Sequence, residues 1–215
     1  KPQSAFFERH GSAGIAVLER TIGAARDLGA LVLLDAKRGD IGSTMQGYAD
    51  AYLDSSSPLA VDAVTVNPFL GFESLRPMLD TAAAEGAGVF VLALTSNPEG
   101  PQVQHARGVR GTVAAEILDA IKRENAGAEP LGSVGAVVAA NLRELTEDVA
   151  IRGPLLAPGL GAQGGTIEQV ATLFGSALEL VLPSTSREVL SAGPNLVRLR
   201  EAARRTIESV TAALR

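Results

Sequence analysis

Three side chains in LVLLDAKRGDIGST, residues 31–44, have types and spacing suited to proton chemistry: Asp35, Lys37 and Asp40. Residues two apart on a strand point the same way, so Asp35 and Lys37 would project together where the apolar run 31–34 ends. Gly39 loosens the backbone before Asp40. Packed between two carboxylates, Lys37 would stay an ammonium despite partial desolvation. Such a group is a poor base or Schiff-base nucleophile and a good proton donor to a carbanion. A structural ion-pair network, or a solvated turn, would use the same spacing. Charge where a buried strand opens into a loop is costly to place, which favours a chemical role.

Two further stretches suit an anion. PGLGAQGG, residues 158–165, precedes a helix start, and PSTSRE, residues 183–188, follows the last apolar run. Glycines let backbone N–H groups approach an anion, and a helix N-terminus adds its dipole. Arg187 would supply bidentate charge and Gln163 a neutral donor. Either stretch alone reads as an ordinary Gly-rich turn. As the last two strand-end loops they favour a phosphate site. Ser96 and Asn97 would read a polar ring edge, or merely shape the turn before Pro98. His10 and His105 lack a third ligand at metal spacing, so no metal is expected.

Positioning these groups requires a regular scaffold, and the chain supplies one. Apolar runs at 31–35, 61–66, 89–94, 134–139, 155–158 and 178–182 alternate with helical stripes. The stripes carry Ile15, Leu18 and Ile22, then Met78 and Leu79, then Ile117 and Ile121. A further helix is expected over Leu142, Leu145 and Val149, and a long terminal one over Leu196, Leu199, Ile207, Val210 and Leu214. The segment 95–111 exceeds what a strand-to-helix connection needs and reads as a lid. No hairpin signal intervenes, so the sheet should be parallel. Polar, Gly-rich loops after nearly every strand favour an α/β fold of the (β/α)8 TIM-barrel type over an open doubly wound sheet. Six strands are two short of that barrel. The expectation is one domain over 1–215 whose first strands lie in a longer chain.

Composition sets the outer bounds. The 215 residues are 46% hydrophobic and 20% charged, a globular balance. With no cysteine there is no disulfide framework, thiol nucleophile or thiolate metal site. The net charge of −5 argues against general nucleic-acid binding, and no run is long enough to span a bilayer. A cytoplasmic location fits these features. The arginines at 198, 200, 204 and 205 read as a solvated helix face.

Taken in order, KPQSAFFERHG, DAKRGDIGST, TSNP, PGLGAQGG and STSR resemble the orotidine 5′-phosphate decarboxylase family, and KPQSAFFERHG its bacterial subclass. The resemblance implies a homodimeric barrel, free of metal and organic cofactor, that converts orotidine 5′-phosphate to uridine 5′-phosphate and carbon dioxide in pyrimidine biosynthesis. By that likeness Asp35 lies against the substrate carboxylate and Lys37 protonates C6. Lys1 binds the ribose hydroxyls and pairs with Asp35, while Asp40 and Thr44 reach into the neighbouring subunit's site. Ser96 would bind the pyrimidine edge, Gln163 and Arg187 the phosphate, and Asn67 would face the ligand. The family's aspartate at the end of the first strand has no counterpart here. The rival expectations are a metal-dependent sugar-phosphate lyase or decarboxylase on the same barrel, and a non-catalytic nucleotide-binding barrel.

Overall fold

The structure is a computed structural model that describes residues 1–161 and 164–213. Two compact units make it up: Lys1–Leu92 with Gly127–Gly135, and Ala93–Ala126 with Ala136–Arg215.

In the first unit, residues 1–4 lie along strand β1 (Leu33–Arg38). The Asp35 amide donates to the Pro2 carbonyl at 2.9 Å, and the Ser4 amide donates to the Asp35 carbonyl at 3.1 Å. Helices α1 (Ala5–Glu8) and α2 (Gly11–Asp27) follow. The predicted stripe of α2 is the buried one, through Leu18 and Ile22. Gly14 allows α2 to press on α1, since a Cβ there would stand 1.8 Å from the Phe7 carbonyl oxygen. After β1 come α3 (Gly42–Tyr52), β2 (Ala63–Val66), a 3-10 turn (Phe72–Leu75), α4 (Arg76–Glu85) and β3 (Gly88–Leu94). Strand β2 pairs in parallel with β1 and with β3. Apolar side chains of all three strands are buried, as are Met45, Leu75 and Met78 from the helical segments. Gly86 closes α4 in the left-handed conformation, a role that favours glycine.

Strand β1 differs from its expected form. It starts at Leu33, because Leu31 is exposed, and runs on through Lys37 and Arg38. From the pair Leu34↔Val64 to the pair Arg38↔Val66, β1 advances four residues while β2 advances two. Lys37 sits in this irregular stretch with φ of 50°. Simple alternation therefore fails at the residues where it was applied.

The second unit holds α5 (Pro101–Gln104), α6 (Val113–Glu124), β5 (Leu155–Pro158), α7 (Ile167–Phe174), β6 (Val181–Ser184), α8 (Arg187–Leu190) and α9 (Leu196–Ala213), with β4 (Val134–Val138) pairing to β5 and β5 to β6, all parallel. Thr112 caps α6 by accepting the Ala115 amide at 3.1 Å. Thr166 and Gln169 form the capping box that starts α7, as their spacing predicts.

Two sequence expectations are corrected here. The helix over 142–149 does not form, and tertiary bonds explain why. Glu147 accepts from Thr112 at 3.1 Å, Asp148 pairs with Lys122 at 2.9 Å, and the Asn125 side chain donates to the Ile151 carbonyl at 2.9 Å. Those contacts stretch the segment along α6, and Asp148 takes its own downstream amide, that of Ala150. The last strand begins at Val181, since residues 175–180 coil as a 3-10 turn. The long terminal helix forms as expected, as α9, with Leu196 and Ile207 exposed on it and Leu199 and Val210 half-buried. Leu214 lies outside the described residues.

Candidate active site

Asp35 is the hub of the first unit's polar cluster. Its backbone is clamped on one side by residues 2 and 4, which brings the chain's opening residues against its side chain. Oδ2 accepts from Lys1 Nζ at 3.2 Å and from Gln3 Nε2 at 3.3 Å. Oδ1 accepts from Lys37 Nζ and from the Thr65 hydroxyl, the latter at 3.0 Å. Thr65 in turn accepts the Lys37 amide at 3.0 Å. Asp35 is buried, whereas the Lys37 side chain is 42% exposed.

Two opposing forces act on this carboxyl. Burial, the largest single effect, pushes its pKa up, but the Lys37 hydrogen bond, the charges of Lys1 and Lys37, and the Thr65 hydroxyl together hold it below the ordinary aspartate value. The result is an ionised, anchored carboxylate with an ammonium reaching outward from it. A proton donor held in that way can meet negative charge as it develops on a bound molecule.

Beside it, Arg38 ties α1 to β1. Its guanidinium pairs with Glu8, reaches the Tyr52 hydroxyl at 3.3 Å, and lies over the rings of Tyr48 and Tyr52. Glu8 also accepts the Ser4 hydroxyl.

Asp40 does not join the cluster expected from its spacing. It is half-buried and accepts the Ile41 amide at 2.8 Å, while Thr44 is exposed in the first turn of α3. Asn67, at the end of β2, donates its amide to the Arg38 carbonyl at 2.7 Å, and its side chain accepts from Phe69.

In the second unit the two anion-type loops do lie together. The Thr185 hydroxyl donates to the Leu160 carbonyl at 3.4 Å, and a Cβ on Gly161 would stand 2.1 Å from Glu188 Oε2. Arg187 is exposed at the start of α8. Gln163 lies outside the described residues. Ser96 is exposed just after β3, where Thr95 and Gln104 bond reciprocally and fold the loop onto its short helix. His10 and His105 are both exposed, and among the described residues no three His, Asp or Glu side chains gather as a metal site.

Sequence reasoning missed Thr65, Gln3 and the pairing of Glu8 with Arg38. A lone hydroxyl inside the apolar run 61–66 was a usable signal for Thr65. No spacing rule links Gln3 to a residue 32 positions on.

The family model for the Orotidine 5′-phosphate decarboxylase / HUMPS family matches residues 1–201. The chain belongs to this family. It is 62% identical over 216 aligned residues to orotidine 5′-phosphate decarboxylase of Salinispora arenicola (strain CNS-205), covering 100% of this chain and 78% of that protein. Orotidine 5′-phosphate decarboxylase of Nocardioides sp. (strain ATCC BAA-499 / JS614) is 67% identical over 194 residues, covering 88% of this chain and 71% of that one. A crystal structure from Streptomyces avermitilis ma-4680, assigned as an orotidine 5′-phosphate decarboxylase, has a TM-score of 0.96 at 57% identity, over 99% of this chain and 75% of that one. The structure of Leishmania donovani OMP decarboxylase has a TM-score of 0.75 at 29% identity, over 99% and 80% of the two chains. The fold is thus that of the orotidine 5′-phosphate decarboxylase family, the (β/α)8-barrel class, with β1–β3 parallel in one unit and β4–β6 parallel among themselves. No helix among the described residues is long and apolar enough to cross a membrane.

Proposed function

We propose that the chain is a carboxy-lyase that decarboxylates orotidine 5′-phosphate to uridine 5′-phosphate and carbon dioxide, with Lys37 as its proton donor. The observation that carries this reading is the Asp35 carboxylate, buried and ionised, with the ammonium groups of Lys1 and Lys37 on its two oxygens. Breaking the bond from C6 to the carboxylate releases carbon dioxide and leaves an electron pair on C6. The Lys37 ammonium gives its proton to that carbon and recovers one from solvent afterwards. An ammonium fixed before the reaction begins favours the transition state over the ground state, since carbanion charge appears only there.

The remaining assignments follow the family resemblance. Asp35 faces the departing carboxylate, Lys1 binds ribose hydroxyls, Ser96 the pyrimidine edge, and Gln163 with Arg187 the phosphate. Asn67 faces the ligand. Asp40 and Thr44 act in the site of a second subunit, which fits an Asp40 side chain without an ion pair to Lys37 within its own chain, and the working form is a cytoplasmic homodimer. The loop 97–110 closes over the bound nucleotide and excludes water.

The test is the fall in orotidine 5′-phosphate absorbance on adding protein. Wild type should consume the substrate, and Lys37→Ala should lose roughly 10²- to 10⁴-fold in kcat, the usual span for a general acid. A Lys37→Ala rate within a few-fold of wild type would rule out the proton-donor role.

A further inference from the structure

We infer that Thr65 is a positioning residue for this decarboxylation, setting where the Asp35 carboxylate faces and where the Lys37 main chain, and hence its ammonium, is held. The inference rests on the function proposed above. Thr65 lies on β2 between the fully buried Val64 and Val66 and is itself only 1% exposed. A hydroxyl so placed is unfavourable unless bonded, and this one has both its bonds inside the charged cluster. It donates to Asp35 Oδ1 at 3.0 Å and accepts the Lys37 amide at 3.0 Å.

The second bond falls where β1 departs from regular pairing with β2. Lys37 there has φ of 50°, a conformation that a side-chain-bearing residue holds only when its surroundings enforce it. The Thr65 hydroxyl is the enforcing group on the amide side, while the Asp35 carboxylate restrains the same residue at Nζ. One hydroxyl therefore fixes both partners of the ion pair. Without it, Oδ1 keeps only the Lys37 bond, and the amide of Lys37 is free to turn.

Thr65→Val replaces the hydroxyl by a methyl group of similar size, and Thr65→Ser keeps the hydroxyl while losing a buried methyl. Thr65→Val should lower kcat roughly 10- to 100-fold with KM little changed, the loss expected for one hydrogen bond to a charged group. Its kcat should also fall away at higher pH on the acid side than that of wild type. Thr65→Ser should stay within about threefold of wild type, although its packing is poorer. A role in packing alone would give the reverse order, with Ser the weaker enzyme. Should Thr65→Val fail to fold, Thr65→Ala replaces it in the comparison with Ser, under the same expectation. Kinetic equality of Val and wild type, or equal damage in Val and Ser, overturns the inference.

The amide resonance of Lys37 in a proton–nitrogen correlation spectrum needs no turnover. It should move in Thr65→Val and hold in Thr65→Ser, and an unmoved resonance in Val overturns the inference by itself. Wild type that leaves orotidine 5′-phosphate intact would instead overturn the proposed function, with the Lys37 resonance still reporting on the Thr65 bond.

Discussion

Lys1 Nζ donates to Asp35 Oδ2 at 3.2 Å, joining residues 34 positions apart at side chains only 17% and 10% exposed. Burial alone would raise the Asp35 pKa and is the largest effect on it, yet the hydrogen bond from Lys37 and the charge of Lys1 help bring it below its ordinary value. A carboxyl depressed on folding contributes stability above its unfolded pKa, and that contribution is lost as pH falls through the folded one. Lys1→Ala lets the Asp35 pKa rise. The variant should therefore be less stable than wild type at neutral pH, with the difference shrinking toward zero once Asp35 is protonated in both states. Urea unfolding of the two proteins across the acid range measures this. A stability gap that ignores pH would mean that Lys1 acts by packing and not by charge.

Glu8 and Arg38 fasten α1 to β1 through an ion pair. Arg38 is held above its ordinary pKa, with burial opposing and Tyr52 and Glu8 outweighing it. Both side chains are partly exposed, 25% for Arg38 and 34% for Glu8, so screening trims the pair's worth. Glu8→Gln should cost about 1–2 kcal/mol in denaturant unfolding, since it leaves the guanidinium short of an anionic partner. Activity should fall less than stability, because the ties of residues 2 and 4 to Asp35 remain. Unchanged stability would show that the tyrosines alone suffice to hold Arg38.

Turnover of orotidine 5′-phosphate should be the same with and without excess chelator. The motivation is the arrangement of donors: the carboxylate of Asp35 is already occupied by two ammonium groups and a hydroxyl, which disfavours a bound cation there. Loss of rate on chelation, restored by a divalent ion, would point to metal-assisted chemistry of the kind expected for the sugar-phosphate rivals.

Much of the architecture was legible because its signals are local. Apolar runs, glycine stops and the Thr166 and Gln169 capping box each act within a few residues, and parallel pairing follows from their alternation. What escaped was decided by contacts far apart in the chain. The helix expected over 142–149 yields to bonds from Thr112, Lys122 and Asn125 on or beside α6. The same holds at the site. Asp35 and Lys37 were legible as a pair two residues apart. Their mutual geometry was not, because the irregular register of β1 and the Thr65 hydroxyl set it from the neighbouring strand. Nor could spacing reveal that Asp40 turns to the Ile41 amide.

Gly39 offers the sharpest test of how the loop between Lys37 and Asp40 is held. Its φ is not in the left-handed region, so conformational freedom is not the reason for glycine here. Space is the reason. A Cβ would stand 2.2 Å from the carbonyl oxygen of Asn67, a backbone atom that is itself fixed because the Asn67 amide donates to the Arg38 carbonyl at 2.7 Å. Neither strand end can yield without breaking that bond. Gly39→Ala should therefore push the loop off β2 and displace Asp40 together with the start of α3. The expected cost is about 1–3 kcal/mol in unfolding, the range for overpacking against a rigid neighbour. Decarboxylation should suffer more than stability does, since Asp40 is assigned to a site that tolerates little displacement. If Gly39→Ala kept both wild-type stability and wild-type kcat, the close approach of Gly39 to Asn67 would not be what places Asp40.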